Sequence, residues 1–330
     1  MKILFFCSEN IIAGNVALVM KREGHDVRLF IDDQERKGGF DGLLEKVDDW
    51  DEGLEWVGKD GLIVFDDVGY GEKQDALREQ GYSVFGGSAM ADKLEFDRAY
   101  AQEIFEKYGL NRLETVNFSS VQACREFLAS RKGPWVLKQN GHESKGINYV
   151  SHFEDGRDMQ AVLDSYEEIY HDGKVITLQK RICGVEVGVG RYFNGNEWVG
   201  PIEINFEHKR MFPGDLGPNT TEMGTIGWYD DNEENRLFSE VLAPLTPYLK
   251  DIDFKGDFEI NCIVNESGAF PLEVTPRFGS PIIYLQCEIH ESPWAEFLKA
   301  IADGQPYDVK WKRECGIVVL LATPPFPYAN

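Results

Sequence analysis

The sequence predicts two architectures in series: an α/β amino-terminal portion on a small parallel sheet, then an α+β portion whose sheets are largely antiparallel. Short apolar runs separated by helical spacing fill the first stretch, which is the βαβ pattern. From Val116 the runs lengthen, alternate polar with apolar residues, and are joined by hairpin-type turns. A chain of 330 residues with 42% hydrophobic content is also too long for one small core and suits two or three packed subdomains.

Parallel strands are expected at Lys2–Cys7, Asp26–Ile31, Leu62–Phe65 and Tyr82–Phe85, with helices such as Gly14–Glu23 and Glu72–Gln80 between them. One long amphipathic helix is expected over Asp92–Tyr108, ending at Gly109 and linking the two portions. Antiparallel strands are expected at Trp135–Gln139, Ile147–Val150, Val175–Ile182, Val185–Phe193, Glu197–Asn205, Asp257–Val264 and Phe270–Thr275. Turn signals at Asn194-Gly195-Asn196 and Asn265-Glu266-Ser267-Gly268 join them. Helices over Ser119–Arg131, Arg157–Ile169, Asn232–Leu249 and Trp294–Asp303 are expected to cover them.

The formal net charge of −23 argues against nucleic acid or an anionic membrane as partner, since both would be repelled. A small molecule is expected instead, and an anionic one must meet a local cluster of Lys and Arg. The six cysteines (Cys7, Cys124, Cys183, Cys262, Cys287, Cys315) lack the close pairs of a zinc or redox site and read as reduced, mostly buried thiols. No apolar run approaches the ~18 residues of a membrane span. The opening Met1–Cys7 is too short for a signal segment, so the expected location is cytoplasmic.

Residues 201–228 concentrate charge, glycine and proline where a core would place none, and read as a site. Glu207, His208, Lys209 and Arg210 set three potential cations beside one carboxylate. The Gly214–Gly227 run after them can bring backbone N–H groups to an anionic ligand. His208 reads equally as a structural imidazole. The Lys138–Ile147 turn carries Lys138 and Lys145 with two glycines between them, so it can fold over polyphosphate; alone, it is more simply a polar hairpin turn. Glu259 and Glu273 fall on two strands of one hairpin whose alternation points both to the same side. A divalent cation would relieve their repulsion, and hard oxygen ligands make Mg²⁺ the natural choice. Spaced surface charges are the alternative, against which Glu273 sits inside the apolar run Phe270–Val274.

Six segments in order resemble the glycinamide ribonucleotide synthetase family of ATP-grasp ligases. They are Phe85–Arg98, Lys138–Ile147, Leu178–Glu186, His208–Gly227, Leu272–Gly279 and Cys315–Asn330. The resemblance implies a Rossmann-like pre-ATP-grasp domain over 1–90, a linking helix over 91–115, a small lid subdomain over 116–182, a large subdomain over 183–310 and the start of a further subdomain over 311–330. It implies ATP with Mg²⁺, or Mn²⁺, as cofactors. Arg98, Lys138 and Lys145 would serve phosphate, Gln179, Lys180 and Ile182 the adenine edge, and Glu186 the ribose. Glu259 and Glu273 would hold metal, with Asn261 or Asp257 compensating for Thr275, which stands where the family has a ligating Asn. Arg277 would act on the transferred phosphoryl group and count as catalytic with Lys145, Lys209 and Arg210, while Lys209 and Arg210 with His208, Asp215, Asn219 and Thr220 would line the acceptor side.

The implied reaction joins a small carboxylic acid, an amino acid such as glycine, to an amine through an acyl phosphate. The catalyst would be a monomer or homodimer. Positioning and charge neutralisation would do most of the work, in keeping with the absence of a Gly-x-Ser-x-Gly nucleophile motif. The chain departs from the family at Ser8–Asn15, at Phe65–Tyr70 and at Thr221-Glu222, where the family has Gly-Gly, so the acceptor is left open. A phosphotransferase and a non-catalytic nucleotide-binding protein are the rival readings.

Overall fold

The structure, a computed structural model, describes residues 1–139, 148–166 and 175–327. Three sheets organise it. The first has the order β3-β2-β1-β4-β5 and is parallel throughout, from β1 (Lys2–Cys7), β2 (Asp26–Ile31), β3 (Glu45–Lys46), β4 (Leu62–Phe65) and β5 (Val84–Phe85). Helix α1 (Gly14–Arg22) packs Val16, Ala17 and Met20 against Ile3 and Phe5 on one face, while α2 (Trp50–Val57) and α3 (Gly71–Glu79) cover Leu4 and Phe6 on the other. Cover on both faces explains why β1 and β4 read as unbroken apolar runs. The parallel portion was legible, although α2 and β3 were not.

The linking segment differs from expectation. It is two helices, α4 (Ala89–Phe96) and α5 (Arg98–Lys107), separated at Asp97. Asp97 has extended φ/ψ of −120° and 93°, and its carboxylate accepts the N–H groups of Ala99 and Tyr100, both at 3.1 Å. A short carboxylate that can satisfy orphan N–H groups favours an N-cap over a helix interior, and this ends one helix and starts the next.

The second sheet has the order β6-β9-β7-β8 and is antiparallel, from β6 (Thr115–Phe118), β7 (Trp135–Gln139), β8 (Tyr149–Val150) and β9 (Ile176–Lys180). Helices α6 (Val121–Ser130) and α7 (Arg157–Tyr166) bury Cys124, Leu128, Met159 and Leu163 against Trp135, Leu137, Ile176 and Leu178.

The third sheet has the order β14-β13-β10-β11-β12-β15. Its strands are β10 (Val185–Asn194), β11 (Trp198–Phe212), β12 (Leu216–Asp230), β13 (Lys255–Asn265), β14 (Gly268–Thr275) and β15 (Gly316–Val319). The segment read as a site loop is thus a long hairpin, bulged between His208 and Arg210 and again before Phe212. Its tip carries Gly214 and Asp215 at positive φ. The helix expected over Asn232–Leu249 is a π-type turn at Phe238–Leu242, a 3₁₀ turn at Ala243–Leu245 and α8 (Thr246–Asp251). Pro244 and Pro247 each lack an N–H, which prevents one continuous α ladder. Helices α9 (Ile282–Ile289) and α10 (Trp294–Ala302) close the fold against α1.

No helix of the described residues is long and apolar enough to cross a membrane. All six cysteines are free. Cys7, Cys124 and Cys262 are buried as expected, but Cys183 and Cys315 are exposed.

Candidate active site

Strand alternation divides the third sheet into an apolar and a polar face. Val187, Val189, Ile202, Ile204, Phe258, Ile260, Cys262 and Val274 point one way, into a core shared with α4 and α5. In register, Gly190 faces Glu203 and Glu259, Gly188 faces Asn205 and Asn261, and Asn261 faces Glu273. Glu259 and Glu273 therefore share one face, as the alternation predicted. The two glycines keep the middle of that face open. A Cβ at Gly188 would lie 2.3 Å from Asn205 Oδ1, so the asparagine side chain occupies the space above it.

Between this polar face and the second sheet lies a cleft of about 430 Å³. Val136, Val150, Ile182, Ile263 and Leu272 give it apolar walls, and Arg98, Lys138, Lys209, Glu186 and Glu273 line its polar end. Gln179, Lys180 and Thr220 also border it. Nine of the residues singled out from sequence thus meet in one crevice, drawn from α5, β7, β9, β10, β11, β12 and β14 and from the link after β9.

Ion pairs organise the polar end. Lys209 Nζ lies 2.6 Å from Glu186, 3.0 Å from Glu207 and 3.5 Å from Glu273, and Arg98 Nη1 lies 2.6 Å from Glu273. Burial opposes ionisation of Glu273, but Arg98, Lys209 and Lys138 outweigh it and hold this carboxyl well below the usual range. Burial likewise opposes the charge on Lys209, and Glu273, Glu207 and Glu186 more than restore it. At Lys138, desolvation and the neighbouring Arg98 pull the ammonium down to about 8, with Glu273 acting in the opposite direction.

Further along the same face the carboxylates lack such partners. Glu203, Asp257 and Glu259 are buried, and burial raises all three above the ordinary range, with Glu207 adding to it at Glu203 and Glu203 adding to it at Asp257 and Glu259. Glu222 is pushed up to about 10 by burial, Glu207 and Glu259. Amide donors temper part of this: Asn205 Nδ2 donates to Glu203 at 2.9 Å, Gln286 donates to Glu203, and Asn261 Nδ2 donates to Glu207 at 3.1 Å.

Several expected residues lie elsewhere. His208 and Arg210 alternate with Glu207 and Lys209 and face away from the cleft: His208 Nε2 is 3.3 Å from Phe212 O, and Arg210 donates to Gly217 O at 2.9 Å. Both serve to close the hairpin on itself. Asp215 is a turn residue at its tip. Asn219 pairs with Arg210 in register, and Lys145 lies outside the described residues. Arg277 is not a cleft wall; it joins Asp67 at 3.2 Å and Glu95 at 3.0 Å at a buried junction with the first sheet and α4. Glu203 and Asn205 were not singled out from sequence. Their signal is the alternating Ile202-Glu203-Ile204-Asn205-Phe206-Glu207, which exposes one polar face.

The phosphoribosylglycinamide synthetase ATP-grasp (A) domain family matches residues 96–282 of the chain. A phosphoribosylamine–glycine ligase of Listeria innocua is 28% identical over 263 residues, which is 77% of this chain and 62% of that protein. The corresponding ligase of Halalkalibacterium halodurans is 24% identical over 259 residues, 77% of this chain and 60% of that protein. The chain therefore spans under two thirds of the length of these relatives. Among solved structures, phosphoribosylamine–glycine ligase from Thermotoga maritima superposes with a TM-score of 0.73 at 18% identity, covering 99% of this chain and 82% of that one. N5-carboxyaminoimidazole synthetase from Staphylococcus aureus, complexed with ADP, gives 0.64 at 14% identity over 96% and 81%. With the matched segment spanning α5 to α9 and carrying the cleft, the chain belongs to the phosphoribosylglycinamide synthetase ATP-grasp domain family.

Proposed function

We propose that the chain is an ATP-dependent carboxylate–amine ligase that forms a C–N bond through an acyl phosphate. One observation carries this reading: a single cleft runs from apolar walls, suited to a flat base, to Lys138, Arg98 and Lys209 beside Glu273. Backbone of Lys180 and Ile182, with Gln179 beside them, would meet the adenine edge, and Glu186 the ribose hydroxyls. Lys138, Arg98 and Lys145 would hold phosphate oxygens. Lys209 bonds Glu186 and would exchange that carboxylate for phosphate when nucleotide enters.

The residues present fit a magnesium ion. Glu273 is held ionised, Asn261 Oδ1 is buried without a partner on the same face, and Glu259 stands beside them. Among the described residues no three acidic, histidine or cysteine side chains form a metal cluster, which agrees with an ion that takes one or two protein oxygens and completes its shell with phosphates and water. When bound, that ion neutralises phosphate charge. The substrate carboxylate oxygen attacks the γ-phosphorus, and the bond to ADP breaks. The amine then attacks the acyl carbon, phosphate leaves, and the amine loses a proton to solvent or phosphate. The chain contributes placement and fixed charge, with Arg98, Lys138 and Lys209 facing the transferred group.

The acid is proposed to be an amino acid. The amine is proposed to carry no phosphate. Where the first sheet's central strands end, Asp66 already takes the N–H groups of Ser8 at 2.9 Å and Ala13 at 3.5 Å, the donors an anion would use at the start of α1. Asp67 adds a second carboxylate there. A second reading, nucleotide binding without turnover, is favoured by the double pairing of Glu273 with Arg98 and Lys209, which competes with metal.

ADP release with Mg²⁺, screened across amino acids and amines including glycine with phosphoribosylamine, tests the reading. ADP and phosphate that appear only when both acid and amine are present support a ligase. ADP formed without amine indicates a phosphotransferase, and binding without turnover supports the second reading.

A further inference from the structure

We propose that the partnerless end of the polar face, around Glu222, seats the ammonium group of the substrate acid, and that Glu222 sets the preference for an amino acid over its hydroxy-acid analogue. The inference rests on the ligase reading above.

Besides Asn261 Oδ1, given to the metal above, three oxygens on this face have no hydrogen-bond partner among the described residues: Glu222 Oε1, Thr225 Oγ1 and Asn205 Oδ1. Their residues are 7%, 2% and 1% exposed. The register gathers them. Asn205 and Asn261 flank Gly188 on β11 and β13, Thr225 pairs with Glu207 beside Asn205, and Glu222 follows on β12 within electrostatic reach of Glu207 and Glu259. A buried acceptor left without a donor is unfavourable. Three on one face leave acceptors that one multi-donor group could satisfy together.

The missing donor is positively charged. The bases that reach this face are committed to other acids: Lys209 to Glu186, Glu207 and Glu273, Arg98 to Glu273, and Arg277 to Glu95 and Asp67. Among the described residues, Glu222 and Glu259 have no base within salt-bridge distance. A primary ammonium brings three N–H donors and one positive charge, which matches both needs. The magnesium set proposed above lies on β13 and β14, at Glu259, Asn261 and Glu273, whereas Glu222 and Thr225 stand across the sheet on β12, so a second cation is called for there.

Isothermal titration in the presence of ADP and Mg²⁺ tests this, using glycine, alanine, aspartate and lysine, with glycolate and lactate as counterparts in which hydroxyl replaces ammonium. At least one amino acid is expected to bind, glycine or alanine at least tenfold tighter than its counterpart. That preference should shrink below threefold in Glu222→Gln while ADP affinity stays within twofold. Thr225→Val should weaken the amino acid a few-fold. Melting curves should show both variants folded, with Glu222→Gln melting above the wild type because the side chain no longer has to take up a proton on folding. A protein that binds ADP but none of the amino acids, or a preference that survives Glu222→Gln, overturns the proposal alone. So does a loss of Mg²⁺ affinity in Glu222→Gln with amino-acid binding intact. Failure to bind ADP removes the ligase reading and this inference with it.

Discussion

The two ends of the polar face carry the same residue types under opposite electrostatic conditions. At one end, Glu273, Glu186 and Glu207 share Lys209 and Arg98; at the other, Glu222, Glu259 and Glu203 have amide donors at most among the described residues. The first end is preorganised as an anion site whose bases are already oriented. The second stores repulsion that a cation would discharge. Carboxylate number therefore says little about a site until the bases are assigned to their partners.

The contrast breaks most visibly at Glu273. Glu273→Gln should lower ADP release by about 100-fold or more, the scale seen when one preorganised charged group is removed from a polar site. A coupled assay for ADP reads it, and full activity would remove Glu273 from the proposed metal set.

Lys138 gives the next effect. Its ammonium is depressed to about 8, so the charge is present below that pH and lost above it. ADP affinity should fall roughly tenfold between pH 7 and pH 9, since one unit above a pKa leaves about a tenth of the group charged. In Lys138→Met the affinity should be weaker at pH 7 and show no such step. Calorimetric titration at the two pH values checks both.

A smaller effect belongs to the second end. The folded-state pKa of Glu222 is raised to about 10, so the native protein holds a proton that the unfolded chain releases above about 4.3. Stability from this group is full below that value and is lost as pH rises towards 10, the reverse of an ion-paired carboxylate. Asp66, raised to about 7 by burial and Asp67, acts in the same direction over a narrower window. The melting temperature should climb by several degrees from pH 8 to pH 6, an energy on the order of 4 kcal/mol at about 1.4 kcal/mol per proton per pH unit. The rise should be shallower in Glu222→Gln.

Arg210→Ala should have the least effect. Its guanidinium bonds a carbonyl of its own hairpin, so ADP release should stay within about twofold and stability within about 0.5 kcal/mol. A large loss of turnover would return Arg210 to the reacting centre.

The parallel strands and the shared face of Glu259 and Glu273 were legible because they follow from apolar runs and a period of two. Arg210, His208 and Asp215 were misplaced for a related reason: a charge-rich, glycine-rich run was read as loop, and alternation was not carried through Phe206–Phe212. Once that run is a strand, neighbouring residues must face opposite ways, and Lys209 alone of the three consecutive basic positions enters the cleft. Arg277 illustrates another limit. Its partners Asp67 and Glu95 lie far away in sequence, and no local pattern shows that a guanidinium will be spent on a junction between layers.

The joint at Asp97 has a mechanical consequence. Arg98 is the first residue of α5, and Asp97 Oδ1 also accepts from Asn117 of the second sheet at 3.3 Å. The direction in which Arg98 extends is thereby fixed by where the turn falls, since each added helical residue rotates the next by about 100°. Inserting one residue between Asp97 and Arg98 would move Arg98 one helical position from its cap and swing the guanidinium off Glu273, whereas the same insertion beyond Lys107 would leave it in place.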